Sequence, residues 1–134
     1  MKMRVYVDGV WDLFHVGHLQ CLKFAKSISD KVDLIVGVVS DLDAASYKRT
    51  PLIPETDRIS IVEQIKYVDE VVFPAPLVIT TDFLDSHNID IVVHGFANDN
   101  DRQIQAPFFA AIGDRFREIP YTSRISTTQL MSKL

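Results

Sequence analysis

Apolar residues fall along the chain in short, nearly continuous runs that alternate with stretches of helical spacing. Arg4–Asp8 (RVYVD), Asp33–Val39 (DLIVGVV) and Asp90–His94 (DIVVH) are β-branched and apolar on successive positions. A strand covered on both faces has that pattern, so these segments read as central strands of a parallel sheet. Asp69–Phe73 (DEVVF) and Phe116–Pro120 (FREIP) read as shorter strands nearer the edges. Between them, Leu19, Leu22, Ala25 and Ile28 recur at helical intervals, as do Ile59, Val62 and Ile65. Further helices are expected over Thr81–His87 and Gln103–Ile112. A last one is expected from Ser126, where Ser-Thr-Thr-Gln has the form of a capping box.

Strands that alternate with helices imply right-handed crossovers and helices on both sheet faces. The expected fold is therefore a Rossmann-like α/β domain over residues 1–134, with a parallel sheet of about five strands. In such sheets ligands bind beyond the carboxyl ends of the strands, where the winding reverses. The first strand commonly borders that reversal, and it leads directly into Trp11–Gln20, WDLFHVGHLQ.

Composition narrows the ligand. The 134 residues are 47% hydrophobic and 24% charged, with a formal net charge of −4. No broad basic face is to be expected, which argues against nucleic acid as a partner. Cys21 is the only cysteine, and the opening apolar run breaks at Asp8, too early for a signal peptide. No stretch approaches the roughly 20 apolar residues of a membrane span. The expectation is a cytoplasmic protein without a transmembrane segment.

Any anion must therefore be held by few, local groups. His-x-Gly-His after a buried strand supplies them: Gly17 lets a ligand approach the backbone, the helix start offers N–H groups, and His15 and His18 add two imidazoles. The alternative is that these histidines only cap the helix and fill the core. Cys21 continues the spacing His15, His18, Cys21, but steps of three drift around a helix, so the three do not converge on a metal.

Trp11–Gln20 and its flanks resemble the nucleotidyltransferases with an H-x-G-H signature, in particular the cytidylyltransferases that make CDP-alcohols. Gly9, Asp12, His15, Gly17 and His18 match the pattern G-x-F-D-x-x-H-x-G-H, with Trp11 in place of Phe. The likeness continues through Tyr47–Arg58 (YKRTPLIPETDR), Lys66–Val72 (KYVDEVV), Asn88–Gly95 (NIDIVVHG) and Tyr121–Leu130 (YTSRISTTQL).

The resemblance implies transfer of CMP from CTP to a phosphorylated alcohol, ethanolamine phosphate or choline phosphate, with His15, His18 and Lys48 catalytic. It implies a nucleotide site built from Val10, Trp11, Asp12, His15 and His18 after the first strand. His94 and Gly95 would join from a later strand, and Tyr121, Thr122, Arg124, Ile125, Ser126 and Thr127 from the C-terminal segment. Lys48 and Leu77 would meet the phosphoalcohol. Magnesium is expected to arrive with CTP rather than in a protein cage, and the chain is expected to form a homodimer.

Arg58 would open a helix, and Arg49 reads as surface. The pattern departs at R-T-x-G, which here is Tyr121, Thr122, Ser123, Arg124. Glycerol phosphate as the acceptor, an adenylyltransferase, and a non-catalytic nucleotide sensor are the alternatives.

Overall fold

The computed structural model describes residues 2–121. Five strands form one sheet: β1 (Met3–Gly9), β2 (Val32–Val38), β3 (Glu70–Val72), β4 (Ile91–His94) and β5 (Phe116–Glu118). They lie in the order β3-β2-β1-β4-β5, and every neighbouring pair is parallel. The winding reverses between β1 and β4, so the reversal sits beside the central strand. This is the expected Rossmann-like sheet, with each strand within two residues of its expected bounds.

Along β1 the side chains alternate between two cores. Val5 and Val7 pack with Leu22, Leu34, Val36 and Val62 on one face, while Tyr6 packs with Ile35, Leu84 and Val92 on the other. All are buried, and each such side chain contributes roughly 1.5–3 kcal/mol relative to exposure.

The helices are α1 (Val16–Lys26), α2 (Asp41–Tyr47), α3 (Glu55–Glu63), α4 (Thr81–Ser86) and α5 (Asp99–Gln105). α2 was not expected. Its signal is local and polar: Ser40 caps the helix by accepting from the Asp43 N–H at 3.1 Å, and Asp41 and Asp43 stand in the first turn. The helix expected over residues 103–112 is instead two pieces. α5 begins earlier, capped by Asn98, and a tighter 3-10 stretch follows over Ala106–Arg115. Pro107 cannot donate to the helical ladder, which ends the α-helical hydrogen bonding there. The helix expected from Ser126 lies outside the described residues. Among the described residues no helix is long and apolar enough to cross a membrane.

Candidate active site

A cavity of about 150 Å³ opens at the carboxyl end of β1. Its floor is the tight segment between β1 and α1. Trp11 (φ 58°) and Leu13 (φ 48°) both adopt left-handed backbone there, which side-chain-bearing residues rarely do. Tertiary contacts hold it: Trp11 is buried and its indole N–H donates to the Gly37 carbonyl at 2.9 Å. Gly9 makes room for the indole, since a Cβ at that position would lie 2.8 Å from the Trp11 ring.

The two histidines form a reciprocal cap on α1. His15 is the N-cap, and its Nδ1 accepts the Gly17 N–H at 3.0 Å. His18 reaches back, and its Nδ1 accepts the His15 N–H at 3.2 Å. The capping reading and the ligand-facing reading are therefore compatible, because both rings also line the cavity. One expectation changes: the Gly17 N–H is spent on an imidazole and is not offered to an anion.

The cap has a chemical consequence. With both Nδ1 atoms accepting, the proton of each neutral ring must sit on Nε2, leaving Nε2–H as the donor. The rings stay neutral. Burial pushes His18 down to about 3, with further lowering by His15 and Lys48, and desolvation lowers His15. His18 stacks against His15 at 4.1 Å between ring centroids and meets Trp11 and Phe14 on its other sides.

Asp12 is buried, and its two carboxylate oxygens accept from the Leu52 and Ile53 N–H groups, each at 2.9 Å. It lines the cavity, but its main visible work is to hold the loop that carries Lys48. Arg58 secures the same loop from beneath. It is fully buried within α3 and donates to the carbonyls of Ile53, Val10 and Val39 at 2.9, 2.6 and 2.8 Å, and to Asp41 at 2.6 Å. Lys48 is solvent-accessible at the cavity mouth, yet the protein around its ammonium lowers its pKa by desolvation, helped by the charge on Arg49.

Val10, Trp11, Asp12, His15, His18, Lys48, Gly95 and Tyr121 thus converge on one cavity from four separate stretches of sequence. His94 stands behind the wall, its Nδ1 3.2 Å from Asp8 Oδ1. Leu77 does not line the cavity; it is partly buried elsewhere, in the segment that follows β3. Thr122, Arg124, Ile125, Ser126 and Thr127 lie outside the described residues.

Two contributors escaped the sequence reading. Arg49, read as surface, lines the cavity beside Lys48. Asp8 lines it too. That carboxylate is buried, and its Oδ1 makes no hydrogen bond of good geometry among the described residues, His94 lying near but out of line. The signal for Asp8 was available: a charge closing an apolar central strand sits at the end where ligands bind. Nothing in the local sequence around Arg49 distinguished it from a solvated loop residue.

The carboxylates do not make a metal cage. Asp12 is committed to two backbone N–H groups and Asp8 stands apart, and among the described residues no cluster of three or more metal-ligating side chains occurs.

A family model described as "Cytidylyltransferase-like" matches residues 6–132. The chain is 37% identical, over 98% of its length, to a probable choline-phosphate cytidylyltransferase of Schizosaccharomyces pombe (strain 972 / ATCC 24843). It is 38% identical, again over 98%, to an ethanolamine-phosphate cytidylyltransferase of Mus musculus. It spans 37% and 32% of those two proteins. Among solved structures, the lipopolysaccharide core biosynthesis protein from Thermoplasma volcanium GSS1 superposes with a TM-score of 0.70 at 22% identity. That superposition covers 91% of this chain and 99% of the other, a likeness of fold.

Proposed function

The chain belongs to the cytidylyltransferase-like family, and from that premise we propose that it transfers CMP from CTP to a phosphorylated amino alcohol. The phosphate oxygen of the alcohol attacks the α-phosphorus, the bond between that phosphorus and the bridging oxygen breaks, and pyrophosphate leaves. The nucleophile is already ionised, so no strong base is needed. The demands are in-line positioning and relief of charge on the phosphoryl oxygens.

One observation carries the reading. Two neutral imidazoles line the cavity side by side, each with Nδ1 held by a backbone N–H and therefore with Nε2–H as its donor. Such donors are fixed before substrate arrives, so they need no reorganisation as charge develops. Lys48 would span the incoming phosphate and the α-phosphate. Trp11, Val10, Gly95 and Tyr121 would hold the nucleotide, with Tyr121 stacking on the base. Magnesium would accompany the triphosphate, bound by phosphate oxygens and water, and would neutralise charge on the leaving group. No protein group is assigned to it.

Asp8 favours an ammonium-bearing acceptor. A buried carboxylate oxygen that makes no well-formed hydrogen bond among the described residues is costly, and a cationic alcohol would satisfy it, whereas glycerol phosphate would leave it with only the nearby His94 imidazole. A primary ammonium can donate hydrogen bonds to that oxygen and a quaternary one cannot, so ethanolamine phosphate is preferred to choline phosphate. We further propose a cytoplasmic homodimer. Among the described residues β3 is an edge strand paired only with β2, and the exposed Phe73 follows it.

The test is pyrophosphate release with CTP or ATP against ethanolamine phosphate, choline phosphate and glycerol phosphate, with His18→Ala alongside. Turnover should require CTP and an ammonium alcohol, and His18→Ala should lose about 100-fold or more. Equal turnover of glycerol phosphate would refute the part given to Asp8. Binding of CTP without pyrophosphate release from any acceptor would make the chain a nucleotide sensor.

A further inference from the structure

The cavity must accept a polyanion, yet its fixed charges nearly cancel. Two carboxylates, Asp8 and Asp12, face two cationic side chains, Lys48 and Arg49. The imidazoles donate hydrogen bonds but carry no charge. The Lys48 ammonium has its pKa lowered by desolvation first and by the neighbouring guanidinium, against the opposing pull of Asp101 and Asp12. Arg49 adds to the described cavity wall a guanidinium, which does not deprotonate in a protein.

Its backbone is also firmly held. Arg49 lies on the loop that Asp12 ties down at Leu52 and Ile53 and that Arg58 ties down again at Ile53. Its side chain is partly buried in the wall. A guanidinium on an anchored loop, in the same wall as the Lys48 ammonium and the two imidazoles, suits a tetrahedral oxyanion. Tyr121 stands where the resemblance would have an arginine, and it brings an aromatic face to the same cavity but no charge.

We propose that Arg49 is a phosphate-gripping residue of this site, supplying from the loop after α2 the guanidinium that is missing at position 121. The nature of the ligand rests on the nucleotidyl-transfer reading; the phosphate chemistry does not. The gripped phosphate belongs either to the nucleotide or to the phosphoalcohol, and each has its own arm in the test.

Wild type, Arg49→Gln, Arg49→Lys and Arg124→Gln are titrated calorimetrically with CTP, tripolyphosphate and ethanolamine phosphate, with unfolding temperature as the folding control. Arg49→Gln should keep the unfolding temperature and weaken at least one phosphate ligand about 10- to 100-fold, as loss of a charge-assisted contact does. Arg49→Lys should recover only part of that loss, because an ammonium keeps the charge and not the fork. Loss with CTP and tripolyphosphate assigns the grip to the nucleotide; loss with ethanolamine phosphate alone assigns it to the acceptor.

Wild-type affinity for all three in Arg49→Gln overturns the proposal. So does a loss confined to Arg124→Gln. Turnover of ATP in place of CTP would sink the cytidylyl reading, yet leave a tripolyphosphate loss in Arg49→Gln standing. CTP turnover with unimpaired binding in Arg49→Gln would sink this proposal alone.

Discussion

Replacing Arg58 by methionine removes a guanidinium that joins four parts of the molecule while keeping a side chain of similar reach. The arginine is 0% exposed, and its donors meet the carbonyls of Val10, Val39 and Ile53 and the carboxylate of Asp41. Asp41 is 38% exposed at its side chain, so water can take over there, and the ion pair itself contributes at most about 1 kcal/mol. The Val39 contact is buried, and the freed carbonyls carry most of the cost. Hydrogen bonds to charged groups contribute about 1.5–3 kcal/mol each and are not additive, and each carbonyl left buried and unsatisfied costs about 1–3 kcal/mol.

Arg58→Met should therefore lose about 3–5 kcal/mol, a large share of the 5–15 kcal/mol typical of a domain. At this chain length that corresponds to a fall in Tm of roughly 10–18 °C. Equilibrium urea unfolding of wild type, Arg58→Met, Asp41→Asn and the double variant gives both the total and the coupling. Asp41→Asn alone should cost under about 1 kcal/mol. A loss below about 1 kcal/mol in Arg58→Met would refute the view that this side chain ties the Lys48 loop to the strand ends. A loss matched by Asp41→Asn alone would move the energy from the carbonyls to the ion pair.

Two further predictions rest on buried polar groups. Among the described residues the buried Tyr6 hydroxyl has no hydrogen-bond partner, so Tyr6→Phe should stabilise the fold by up to about 1 kcal/mol in the same unfolding assay; destabilisation by as much would mean the hydroxyl has a partner. His18 takes up its proton near 6.5 in an unfolded chain but near about 3 when folded, so the unfolded state binds more protons between those values. Its contribution to stability is complete above pH 6.5 and is lost as pH falls toward 3. Unfolding free energy measured from pH 7 to pH 4 should therefore fall less steeply in His18→Asn than in wild type, and identical slopes would contradict a neutral buried ring.

The strands, the sheet class and the histidine pair were legible from the chain alone because each is encoded within a few neighbouring residues. A β-branched apolar run declares burial on both faces, and His-x-Gly-His carries its own caps, with His15 and His18 three positions apart on one helical turn. The extents of α2 and α5 are set by polar and backbone signals that are equally local, Ser40 before α2 and Pro107 after α5.

Membership of the site is another matter. Arg49 reads as surface from local sequence and Leu77 is implied at the site by the resemblance; the fold puts the arginine in the cavity wall and the leucine outside it. What decides this is the path of the loop after α2, set by Asp12 and Arg58 through contacts with Ile53 and with β-strand ends far away in the chain. A side chain's direction at a sheet end depends on such long-range anchors, and they form only once the sheet has been assembled.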